Sequence, residues 1–291
     1  MATCMFCWPD YVQDSSYKTT SVSGGDWDSA LSLNNLKDRA LSTVARSTDT
    51  SYTSTVIDLD LALGRPISLF TISNHNFSQN ATIKLTGSNN SDYSSPVYET
   101  AELDVWPVFY PSGSLPWGYS GVWSGVLSNE ETDGYNMQFI HVLPTATWAR
   151  YWKVEIFDLD NTDGYVEMSR VSLWQAWQPL LNMNYGSTLG WETDTPSDQS
   201  LSGTSYFDRR DPKRVCNLTL EFIKYDVAIT KPFEMARKLG KDGELFFVFD
   251  PDDSQGDMFR RSFLANMSEL SPLEFPVYSY NTQVLSLKEI L

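Results

Sequence analysis

The cysteines and acidic loops are the residues whose spacing invites chemistry. Cys4-Met5-Phe6-Cys7 has metal-ligand spacing, and only Cys216, His75 and His141 are available to complete a four-ligand zinc site. Three cysteines cannot close a disulfide framework, so reduced, buried thiols are the default reading of Cys4, Cys7 and Cys216 and a metal site the alternative. Two acidic loops, Asp158 to Gly164 and Asp250 to Asp257, invite calcium. An EF-hand loop needs Gly sixth and Glu twelfth. Counted from Asp250, Gly256 is seventh and Arg261 twelfth; counted from Asp158, Gly164 is seventh and Ser169 twelfth. Both fail, and a solvated acidic turn is the better reading of each. No Gly-x-Ser-x-Gly elbow, His-Glu-x-x-His pair or phosphate loop occurs. His75 and His141 sit beside apolar strand residues, where a hydrogen-bonded core imidazole is expected. No catalytic residue, cofactor or metal is expected. A carboxylate pair for glycoside cleavage has no sequence mark that singles it out.

One segment does carry a contact chemistry. Between Val105 and Gly125 the chain is rich in Trp, Tyr, Pro and Gly, and Trp106, Tyr110, Trp117, Tyr119 and Trp123 form the candidate contact surface. Aromatic faces stack on sugar rings and also anchor protein interfaces. The competing reading packs these rings on the protein itself, as a lid or inside an oligomer.

The totals frame these sites. With 291 residues the chain has room for two domains, and 14% aromatic residues suit sandwich cores and contact surfaces. A net charge of −16 disfavours sequence-specific nucleic-acid binding, which leaves a basic footprint. The acidity fits solubility, or a surface past which DNA slides. No apolar run approaches the ~18 residues of a membrane span, and no basic region followed by an apolar stretch marks a secretory signal. Asn-x-Ser/Thr triplets at Asn76 and Asn80 then read as ordinary loop and strand residues.

Strand patterns position the sites. Ile57, Leu59 and Leu61 alternate with Asp58 and Asp60; Ile67 to Ile72 is a second strand; Ala81, Ile83 and Leu85 alternate in a third. Met137 to Val142 is a further strand. From Arg150 to Trp174 the chain reads as a hairpin around the polar turn Asp160 to Gly164, and a change of phase between Met168 and Val171 predicts a bulge or corner near Ser169 and Arg170. Residues 1–20 form an N-terminal arm, to be packed on either domain. Residues 21–178 form the first domain and 179–291 the second, with a long loop at 182–211. In that second domain Val215 to Tyr225 is a strand with Leu218, Leu220 and Phe222 on one face. Thr230 to Leu239 is a short helix with Thr230 as cap, Pro232 in its first turn and Gly240 after its end. Leu245–Phe249, Arg261–Leu270 and Val277–Leu287 complete a sheet.

Tyr151-Trp152-Lys153-Val154-Glu155-Ile156, followed by Asp163-Gly164-Tyr165-Val166-Glu167-Met168-Ser169-Arg170-Val171, resembles the last strands of discoidin jelly rolls. The likeness extends over about Ser21 to Trp177, a usual size for one domain. Leu36-Lys37-Asp38-Arg39, Val44 to Asp49, Gly64-Arg65-Pro66-Ile67, Ser73 to Asn76, Ala81-Thr82-Ile83 and Gly87-Ser88-Asn89 resemble such modules in tailed-phage virion proteins. Gly243 to Phe247, Asp250 to Asp253 and Arg260 to Phe263 are similar to phage tail-tube and distal-tail proteins. The resemblance implies a mainly β protein: a discoidin-like (galactose-binding-like) jelly-roll β-sandwich plus a β-sandwich-with-helix domain.

It also implies a structural component of a bacteriophage distal tail or tail tip, assembled in the host bacterial cytoplasm. The second domain would form a ring with copies of itself, beside tube, tape-measure and tail-tip hub proteins, and the outward sandwich would stabilise it or meet host glycan. The alternatives are a freestanding carbohydrate-binding module or adhesin and, more weakly, a polysaccharide hydrolase.

Overall fold

The computed structural model describes residues 3–13, 20–119, 122–127, 129–132 and 134–291. Parts of the expected N-terminal arm, residues 1–2 and 14–19, lie outside the described residues. The protein is mainly β with extensive antiparallel pairing. Two compact units are present: a smaller one of Met1–Phe6, Trp177–Asp252 and Arg261–Leu291, and a larger one of Cys7–Ala176 and Asp253–Arg260.

The chain opens with β1 (Met5–Asp10), β2 (Ser21–Ser23), a 3-10 turn (Leu33–Lys37), β3 (Ala45–Arg46), β4 (Ile57–His75), β5 (Thr82–Ser88), β6 (Pro96–Glu99) and β7 (Leu103–Asp104). It continues through α1 (Asn129–Thr132), β8 (Gln138–Phe157) and β9 (Glu167–Trp177). In the larger unit the strand order is β1-β9-β4-β8-β5-β6. The alternation expected at Ile57, Leu59 and Leu61 is present, with all three buried. The strands expected at 57–61 and 67–72 are one long β4, and those expected at 137–142 and 150–156 are one long β8.

Both long strands bend. Their pairing breaks between Asp60 and Arg65, and again between Ile67 and Leu69. The first bend is fixed by Ala62, at φ 62°, whose N–H donates to Asp60 Oδ1 at 2.8 Å. The same carboxylate takes both arms of the Arg150 guanidinium at 2.7 and 2.8 Å. Beyond the bend β4 pairs with β9, whereas before it β8 pairs with β5. Residues from both sides of the bend share one core, including Leu59, Phe70, Ile83, Trp152 and Leu173. The sheet is thus folded over its own apolar face.

Two expectations fail here. β8 and β9 are not a hairpin, because β4 lies between them. β9 also carries no bulge against β4: the register from Leu69↔Trp174 to His75↔Met168 is unbroken. The phase change has another cause. Ser169, Arg170 and Ser172 are as buried as Val171 and Leu173, so both faces of this inner strand are covered. Arg170 tolerates this because it donates to Asp10 Oδ2 at 3.2 Å and to Ser172 Oγ at 3.1 Å.

The smaller unit comprises β10 (Thr188–Glu192), β11 (Ser197–Gln199), β12 (Ser205–Phe207), β13 (Lys213–Lys224), α2 (Tyr225–Ala228), a π turn (Ile229–Phe233), α3 (Glu234–Leu239), β14 (Glu244–Val248), β15 (Phe263–Glu269), β16 (Leu273–Val277) and β17 (Tyr280–Glu289). α4 (Gln255–Arg261) falls between β14 and β15. The sheet order is β10-β13-β17-β15-β14, with β16 on β17.

The span 182–211 is not a bare loop, since β10 pairs with β13 and β11 pairs with β12. Leu218 and Leu220 are buried as expected, but Phe222 is 56% exposed. A register shift between Leu220 and Ile223 puts Phe222 at φ 56° and returns Ile223 to the core. Helical structure starts at Tyr225, not Thr230. Thr230 caps nothing; its hydroxyl donates back to the Asp226 carbonyl at 2.7 Å. Pro232 sits inside the run, where the wider π turn accommodates a residue without an N–H.

Candidate functional site

The ends of β4 and β8 deliver two loops of the larger unit, 76–81 and 158–166, that lock into each other. Asn76 Nδ2 donates to Asp163 Oδ2 at 3.0 Å and to the Tyr165 carbonyl at 3.2 Å, while its Oδ1 accepts the Glu167 N–H at 2.8 Å. Asn161 Nδ2 donates to the Asn76 carbonyl at 3.1 Å and to Asp158 Oδ2 at 2.9 Å. Asp158 is buried and also receives both the N–H and the hydroxyl of Ser78. The acidic turn is therefore not wholly solvated: Asp158 is its internal strut, and Asp160 and Asp163 are exposed. None of these residues was singled out as a strut from sequence; an Asn-x-Ser triplet facing an Asp-rich turn was the available signal.

A cavity of about 250 Å³ opens beside this lock, lined by Asn76, Phe77, Gln79, Trp106, Asn161 and Asp163 among others. Trp106 is half-buried in its wall and donates Nε1–H to the Phe77 carbonyl at 3.1 Å. His75 stacks on Phe77 at 4.3 Å and meets Trp106 edge-on at 5.9 Å. Burial pulls the His75 pKa down to about 3. His141 shares a 2.8 Å hydrogen bond with the Tyr98 hydroxyl, and burial lowers its pKa to about 4. Both imidazoles are neutral at neutral pH, His75 buried in the core and His141 half-buried.

The aromatic loop is separately anchored. The N–H groups of Phe109 and Tyr110 both donate to the Gly125 carbonyl, at 2.8 and 3.0 Å. Gly125 has φ 68°, and a Cβ there would lie 2.6 Å from the Tyr110 carbonyl oxygen, so the closure needs glycine. Phe109 packs edge-on against Phe259 at 5.8 Å, with the Arg260 guanidinium over its ring at 4.8 Å. Gly256 leaves room for that ring. The Tyr110 hydroxyl donates to Glu131, which raises its pKa.

Above this base the five predicted aromatics separate. Trp106 belongs to the cavity wall and Tyr110 to the loop base. Trp117, Tyr119 and Trp123 are 84%, 66% and 85% exposed. Trp117 and Trp123 meet edge to face with centroids 5.2 Å apart.

The other candidates resolve into structure. Cys4, Cys7 and Cys216 are buried free thiols, and burial pushes Cys4 and Cys216 up to about 12. Among the described residues no group of three or more His, Cys, Asp and Glu side chains is placed to hold a metal. In the second acidic loop, the Ser254 hydroxyl accepts the Asp257 N–H at 3.2 Å and donates to its carboxylate at 3.0 Å, which starts α4. No described helix is long and apolar enough to cross a membrane.

No family model matches this chain, and no curated protein matches it. Solved structures similar to it include the family 32 carbohydrate-binding module of NanJ from Clostridium perfringens in complex with galactose. That match has 10% identity and a TM-score of 0.38, over 59% of this chain and 99% of the module. A second is a family 32 module from a family 31 glycoside hydrolase of Clostridium perfringens, with 12% identity and a TM-score of 0.35, over 55% of this chain and 96% of the module. A third is the lectin domain of lectinolysin complexed with Lewis B antigen, with 12% identity and a TM-score of 0.36, over 57% of this chain and 96% of that domain. At these scores and identities the likeness transfers no binding residue and no ligand to this chain.

Proposed function

We propose that this chain is a non-catalytic glycan-binding protein that grips sugar with the indoles of Trp117 and Trp123. The observation that carries this reading is their exposure. Two large apolar rings stand more than four-fifths in solvent, in contact with each other, on a loop whose two ends are pinned. Exposed apolar patches mark contact surfaces, and a pinned loop presents them at low ordering cost. An edge-to-face pair offers two nearly perpendicular walls, which suits the apolar face of a pyranose ring with a neighbouring group against the second wall. The known proteins named above include galactose-bound and Lewis-antigen-bound modules, in keeping with this reading without carrying it.

The two loops beside the cavity spend many of their polar groups on one another. That favours binding over turnover. Placement in a phage tail, with a ring built by the second domain, rests on the sequence resemblance alone. A glycan array probed with the full chain tests the proposal. Retention of a defined set of glycans supports it, and a blank array at high protein concentration removes it.

A further inference from the structure

The loop that carries Trp117 and Trp123 has no charge of its own, and we infer that the site takes uncharged sugars and turns away glycans bearing carboxylate or sulfate groups. The inference rests on the glycan-binding reading above and narrows it to a ligand class. From Val105 to Ser128 no residue is Asp, Glu, Lys or Arg, in a chain of which 20% is charged. What the loop exposes beside the two indoles is neutral: the Tyr119 ring, the Val108 side chain, and Ser112 and Ser114. Hydroxyls both donate and accept, so those of Ser112, Ser114 and Tyr119 match the hydroxyls of a sugar. None of them can neutralise an acidic substituent, which calls for the forked N–H groups of arginine or the ammonium of lysine. An anion laid on an indole also meets the negative face of the ring.

The charges around the loop add repulsion. Its two ends, Trp106 and Leu127, line the cavity together with Asp160 and Asp163. Both carboxylates are exposed, as are Asp104 just before the loop and Glu130 and Glu131 just after it. A basic side chain does meet the base of the loop, since the Arg260 guanidinium lies over the Phe109 ring at 4.8 Å. One cation at the base does not offset those carboxylates, in a chain of net charge −16. A surface of one sign keeps ligands of the same sign at a lower local concentration.

A glycan array in which neutral oligosaccharides stand beside counterparts carrying sialic acid, uronic acid or sulfate tests this with the full chain. The retained glycans should be the neutral members. Titration calorimetry on a retained glycan and its acidic counterpart should show the acidic one bound at least about tenfold more weakly, as like charges suppress the wrong partner. Added salt should narrow that gap by screening the exposed carboxylates, and should leave the neutral member's affinity unchanged. Ser124→Lys, which adds an ammonium next in sequence to Trp123, should narrow the gap as well. An acidic counterpart bound as tightly as its neutral partner overturns the inference and leaves the glycan-binding reading standing. So does a gap that neither salt nor Ser124→Lys narrows. A blank array removes the glycan-binding reading and this inference together.

Discussion

The N–H of Tyr110 donates to the carbonyl of Gly125 at 3.0 Å, which ties the two ends of the aromatic loop together. Trp117, Tyr119 and Trp123 are presented from that clasp. Gly125→Val places a branched side chain where a Cβ alone lies 2.6 Å from the Tyr110 oxygen, at a φ of 68°. We expect a loss of about 1–3 kcal/mol in stability, the range for a strained backbone position. Glycan binding should fall with it although no indole has changed. Binding that survives the substitution would mean the clasp does not position the loop.

His75 makes the fold sensitive to acid. Its folded-state pKa lies near 3, well below the ordinary 6.5, because the ring is buried. Below about pH 6.5 the unfolded chain takes up a proton that the folded chain refuses, so stability is full above that pH and falls as pH drops toward the folded value. The slope approaches about 1.4 kcal/mol per pH unit for such a group. His75→Asn keeps an acceptor for the Phe77 N–H, which His75 Nδ1 now receives at 3.4 Å, and removes the titration. Urea unfolding between pH 6.5 and 5 should show a shallower loss of stability in the variant than in the parent.

The smaller unit hangs on a buried ion pair. Arg214 and Glu289 are each 2% exposed at the side chain, and Glu289 also accepts the Arg214 backbone N–H at 2.8 Å. Arg214 further donates to the Ser262 carbonyl at 3.1 Å, tying β13 and β17 to the start of β15. Removing one partner of such a pair leaves a charge in the core, at a typical cost of about 3–5 kcal/mol. Glu289→Ala should therefore lower the unfolding midpoint sharply. A double change of Arg214→Met with Glu289→Leu should recover much of the loss.

These residues also show what the chain discloses before it is folded. Ile57, Leu59 and Leu61 announce their strand because one face is dry and the other wet. β8 and β9 are misread as a hairpin because a polar turn between two strands looks the same whether they pair or straddle a third. The phase change at Ser169 and Arg170 misleads for a related reason: an inner strand covered on both faces loses its alternation, and Arg170 is carried inside by Asp10. Phe222 continues an apolar series in sequence, and only the bulge reveals that it points outward. Ser254 caps α4 by accepting the Asp257 N–H, a role that the acidic composition of its loop hides. The aromatic loop is plain from composition, but nothing in the sequence separates Trp106, which builds a wall, from Trp117 and Trp123, which stand free.

That separation is the basis of the proposed function, and it is measurable. Isothermal titration of the full chain with a glycan retained on the array should give saturable binding. Trp117→Ala or Trp123→Ala should each weaken it by about thirtyfold, the equivalent of roughly 2 kcal/mol for a central aromatic anchor. The thermal midpoint should stay at the parent value, because both indoles are more than 80% exposed and support little of the fold. Affinity that persists unchanged when both tryptophans are gone would contradict the account.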